Sequence, residues 1–79
     1  MSPTQYRALE ALATAPYGMM VAREMHVPPG RIHPRTAEAL DRRGLADLTV
    51  LDTGETLATV TDAGVGLLAR NPRARQAVT

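Results

Sequence analysis

The sequence predicts a small α+β domain, mostly helical, with one β-hairpin set between helices. Three observations carry that expectation. Apolar residues recur at helical spacing in residues 2–15 and 34–45, each stretch opened by a proline and closed by a glycine or proline. Residues 46–61 change period: Leu, Val and Thr alternate in two runs around Gly54. A last helical segment follows at 61–70. With 79 residues the chain is expected to form one domain, its core over about residues 3–70 and a tail at 71–79. Such a chain buries only roughly 60–65% of its unfolded surface, and without cysteine it has no disulfide to add to that small core.

The first segment, "SPTQYRALEALATAP", has its start written into it. Ser2 can cap, Pro3 suits the first helical position, and Gln5 completes a capping box. Tyr6, Leu9, Leu12 and Ala13 predict the buried stripe, and Pro16-Tyr17-Gly18 the stop. "MMVAREMHV" reads as a second, shorter helix with Val21, Ala22 and Met25 on one face. Pro28-Pro29-Gly30 must then turn the chain. A third helix is expected from Pro34 to Arg43, with Gly44 in the left-handed position after it and Ile32, Ala37, Leu40 and Leu45 facing in. Met19, Met20 and Met25 read as core fillers in a chain without Phe or Trp. His26 reads as a partner of the second helix's C-terminal dipole.

Two hairpin registers are open. A two-residue loop at Thr53-Gly54 sets Val50 opposite Leu57 and Val60 opposite Asp47. A three-residue loop, Thr53-Gly54-Glu55, sets Leu48 opposite Val60 and Val50 opposite Ala58, which gives one consistently apolar face. The second is preferred because burial fixes register. It pairs Leu51 with Leu57 on the outer face. In the closing helix Thr61 is the expected N-cap, and Val65, Leu68 and Ala69 the inward residues. Gly64 and Gly66 each weaken that helix by roughly 1 kcal/mol relative to Ala, and Asn71-Pro72 ends it.

Composition narrows the function classes. All nine basic residues are arginine and the formal net charge is +1. Their placement is uneven: Arg31, Arg35, Arg42 and Arg43 crowd residues 31–43, while 44–66 hold four acids and no arginine. Two histidines, seven residues apart, make no zinc motif, so no metal or cofactor is expected. No Cys or Lys nucleophile, carboxylate pair or phosphate-binding glycine loop suggests an enzyme. No apolar run reaches membrane-span length and no signal-peptide pattern opens the chain, so a soluble protein in the cytoplasm is expected.

The order of helix, short helix, turn, third helix, hairpin and closing helix resembles the winged helix-turn-helix. "LDRRGLAD" is similar to the third-helix exit of winged-helix regulators, "ATVTDAGVGLLAR" to their wing exit, and "VAREMHV" sits where they place the second helix. The resemblance covers about residues 4–70 and is nearest to MarR-like regulators. It implies a three-helix core, a wing and a C-terminal helix. It further implies transcription regulation, or an accessory role in a phage or mobile element, in a bacterial or phage-infected cell.

The partner so implied is double-stranded DNA, read by the third helix in the major groove. Arg35, Thr36 and Glu38 would face bases, with Arg31 and His33 in the preceding turn. Arg42, Arg43 and the wing-tip residues Thr53 and Gly54 would touch the backbone. The chain departs from the family in three ways. Its wing tip, "DTGE", carries two acids, the segment from Val27 to Leu40 is about one residue longer than usual, and the long dimerisation helices are absent. A homodimer formed through another surface, or a protein partner, is therefore expected. The alternative class is a winged-helix protein-interaction module, such as a phage-encoded modulator of a host protein. Its acidic wing, with Leu51 and Leu57, would face that protein and bind no DNA.

Overall fold

The computed structural model of the chain describes residues 2–23 and 27–70. The expected dipole role of His26 and core role of Met25 lie outside them, as does the tail at 71–79. The first helix, α1 (Pro3–Thr14), starts as its capping box requires: the Ser2 hydroxyl accepts the Gln5 N–H and the Gln5 side chain accepts the Ser2 N–H. Leu9 and Leu12 are fully buried. Ala13 is exposed and Ala8 packs against the core instead, so the buried stripe leans to the other side of Leu9.

Residues 19–21, expected in a helix, form strand β1 (Met19–Val21). The local apolar spacing fits a helix, but a neighbouring strand supplies hydrogen bonds to an extended chain, and tertiary pairing overrides weak local preference. Gly18 makes that approach possible. Its φ is +87°, and a Cβ there would lie 2.3 Å from the carbonyl oxygen of Ala58, so the backbone passes where only glycine fits. Strand β2 (Arg31–Ile32) lies parallel to β1, with Met20 beside Arg31 and Val21 beside Ile32.

Helix α2 (Pro34–Arg42) corresponds to the expected third helix. His33 is its N-cap: Nδ1 accepts the Arg35 N–H at 3.1 Å, while Pro34 fills a position that needs no donor. At the other end Gly44 takes φ +74°, its N–H reaches the Asp41 carbonyl, and the Leu45 N–H reaches that of Leu40. This is the Schellman arrangement, with the buried pair Leu40 and Leu45 packed beneath it. The glycine stop and the anchors Ile32, Ala37, Leu40 and Leu45 are all as the sequence predicts.

Strands β3 (Ala46–Val50) and β4 (Thr56–Val60) form the hairpin. The loop has three residues, but they are Asp52-Thr53-Gly54, closed by the Leu51 N–H on the Glu55 carbonyl at 2.7 Å. Leu48 therefore faces Ala58, and Val50 faces Thr56. Neither expected register is formed. A three-residue hairpin loop takes its left-handed residue last, and Gly54, at φ +86°, must hold that place. The shift from the preferred register is by two residues, which exchanges partners but leaves each side chain on its expected face.

The sheet order is β2-β1-β4-β3. Helix α3 (Asp62–Arg70) follows β4 and is capped by Thr61, whose hydroxyl accepts the Gly64 N–H and donates to the Gly44 carbonyl at 2.7 Å. Its inward line runs through Gly64, Leu67 and Leu68. Val65 and Ala69, expected inside, are exposed, because the closest approach is made by a glycine that pattern reading counts as a gap. The core is Leu9, Leu12, Ile32, Ala37, Leu40, Leu45, Ala46 and Ala58. Among the described residues the fold is thus a small α+β arrangement of three helices and a mixed four-stranded sheet.

Candidate nucleic-acid interface

Helix α2 links opposite edges of the sheet, beginning directly after β2 and ending directly before β3. Burying Ala37 and Leu40 turns the other side of a 3.6-residue helix outward. Arg35, Glu38, Asp41 and Arg42 are exposed there, while Thr36 and Ala39 are half-buried. Glu38 is spaced to pair with Arg35 or Arg42 along the helix. Yet the single ion pair among the described residues lies elsewhere, so these guanidiniums face solvent without a carboxylate partner. A free guanidinium at the start of a groove-sized helix can meet guanine O6 and N7 as a bidentate pair.

The other candidates are placed less uniformly. His33 is half-buried and spends Nδ1 on the helix cap. Arg31 stands on the opposite face of the sheet from α2. It shares that face with Met20, its partner on β1, because neighbouring Met19 and Ile32 turn into the core. There Arg31 Nη1 donates to Glu55 Oε2 at 3.2 Å, the two side chains being 36% and 26% exposed. The structure thus separates Arg31 from Arg35 and neutralises one of the two acids of "DTGE" with it. At the hairpin tip Thr53 Oγ1 accepts the Glu55 N–H and Gly54 supplies the left-handed turn, so both serve the loop itself.

Leu51 and Leu57 are half-buried on the outer face but are not opposite each other: Leu57 sits between Met20 and Thr49. Met20, expected in the core, belongs to this outer row. Arg42 and Arg43 line a shallow open depression with Gln5 and Ala39, where the end of α2 meets the start of α1. The sequence signals neither the Arg31–Glu55 pair nor that depression, since both depend on which strands become neighbours.

Comparison with known proteins adds no relative: no family model, no curated protein and no solved structure matches the chain. Among the described residues no group of three or more His, Cys, Asp or Glu side chains is arranged to hold a metal ion. No helix there is long and apolar enough to cross a membrane.

Proposed function

We propose that the chain is a small winged-helix DNA-binding protein, acting in transcription regulation or as an accessory factor of a phage or mobile element. The observation that supports this reading is the outward face of α2, where Arg35 and Arg42 have no ion-pair partner among the described residues, on a helix capped at both ends. Helix α2 leads through Gly44 into a hairpin that serves as the wing. In this reading Arg35, with Thr36 and Glu38 beside it, enters the major groove. Arg42, Arg43 and the amides near the start of α1 lie along phosphates. Arg31 contributes only weakly while Glu55 holds it. The site of action is the cytoplasm of a bacterial or phage-infected cell, and the role requires no catalysis.

Fluorescence anisotropy with mixed-sequence duplex DNA at two salt concentrations tests the reading. Affinity should fall with salt at a log–log slope near −0.9 per neutralised phosphate. Arg35→Ala should weaken binding to a selected site about 5- to 150-fold, the effect of losing one bidentate base contact. A folded protein that binds no duplex at low salt would refute the proposal.

The second reading, a protein-interaction module, is favoured by the engagement of Arg31 with Glu55 beside the half-buried Met20 and Leu57. Under it the two salt conditions would show no binding, and Arg35→Ala would change nothing measurable.

A further inference from the structure

Strand β3 is one of the two edges of the sheet, with no strand beside it among the described residues, and its hydrogen-bond phase can be assigned. The Leu51 N–H bonds the Glu55 carbonyl and the Thr61 N–H bonds the Leu45 carbonyl. In an antiparallel ladder such pairs alternate, so Asp47 and Thr49 also direct their backbone groups at β4. Ala46, Leu48 and Val50 direct theirs away from the sheet. Ala46 is only 1% exposed, which closes the base of this edge. Leu48 is half-buried and Val50 is 72% exposed, and among the described residues the outward N–H and C=O groups of this far half of β3 have no backbone partner. No proline, lysine or bulge blunts that half, unlike a protected edge.

We infer that this edge pairs with the same edge of a second copy, antiparallel about a two-fold axis through Thr49. The sequence of the strand is self-complementary in that register. Leu48 of each copy exchanges two hydrogen bonds with Val50 of the other, and their side chains meet on the inner face, covering the exposed valine. Thr49 meets its own counterpart on the outer face, a favourable cross-strand pair at the closer, non-hydrogen-bonded spacing. Asp47 falls opposite Leu51, so no acids oppose each other. A register centred on Leu48 would need the outward groups of Ala46, which are covered. Four strands become eight, and an axis normal to the sheet leaves both α2 helices on one side of it. The association needs no DNA; its use in presenting two α2 helices to one duplex rests on the DNA-binding reading.

The contact is small, so the dimer should be weak and visible only by concentration dependence. Sedimentation velocity of the full chain, from about 10 µM to about 1 mM and without DNA, should show a monomer passing to a dimer. Val50→Pro removes two of the four inter-copy N–H donors without touching the β4 ladder, and should raise the dissociation constant at least about tenfold. Thr49→Lys and Thr49→Glu place like charges together at the axis, and each alone should weaken association comparably; mixing the two should restore it as a heterodimer. Circular dichroism of each variant checks the fold. A wild-type chain that stays monomeric throughout would overturn the inference, as would a folded Lys and Glu pair that does not recover association on mixing. Since no duplex is present, neither result bears on whether the chain binds DNA.

Discussion

Gly64 and Gly66 look alike in the sequence, two gaps in the pattern of one helix, and they behave oppositely in the structure. A Cβ on Gly64 would lie 2.4 Å from the Leu45 carbonyl oxygen and 3.2 Å from Leu9, so α3 touches the turn into β3 and the side of α1 through the missing side chain. A Cβ on Gly66 would meet only the far end of Arg70 at 4.0 Å. Gly66→Ala should therefore stabilise the fold by up to about 1 kcal/mol, the helix-propensity difference. Gly64→Ala should destabilise it by about 1–3 kcal/mol or more through overpacking. Urea denaturation of both variants, compared at equal m-value, checks the pair; equal shifts would show that α3 is not seated on Gly64. Position alone could not separate the two, because the distinction lies in what packs against each.

The capped helices α1 and α2 were legible almost residue by residue, because their signals are local. Ser2, Pro3 and Gln5 act within one turn; His33 and Pro34 act together at the start of α2, and Gly44 acts on the turn just before it. The hairpin was legible as an element and misplaced in register, since the preferred spacing and the observed one, two residues apart, both put Leu48, Val50, Ala58 and Val60 on one face. What decided between them was the conformation demanded of a single glycine at the third loop position. Gly54→Ala should cost about 1–2 kcal/mol for a left-handed non-glycine residue, with open space around the new methyl. Gly54→Asn should cost less, and the two thermal midpoints measure the difference. Strand β1 was not legible. Its extended form depends on Gly18 lying against Ala58, forty residues away in the chain, a contact no local window contains.

Across the whole molecule, charge is arranged on two faces with different states of engagement. Among the described residues Arg35 and Arg42 on α2 have no ion-pair partner, while Arg31 on the outer face of the sheet is held by Glu55. Because the pair is partly exposed, its contribution to stability is at most about 1 kcal/mol, and its larger effect is on the field around the hairpin tip. Glu55→Gln should leave the fold intact and raise affinity for non-specific duplex about two- to fivefold, by removing a like charge close to phosphate. Anisotropy at low salt reads this directly, and unchanged affinity would place the hairpin tip away from DNA. Thr61 matters at the same scale. It ties the exit of α2 to the start of α3, while Leu51 and Glu55 close the hairpin's far end. Fastened at its base, the hairpin is a replaceable cassette. Its tip from 52 to 54 can lengthen, shorten or change charge while α2 keeps its aim, so one scaffold can acquire new contacts by altering three residues.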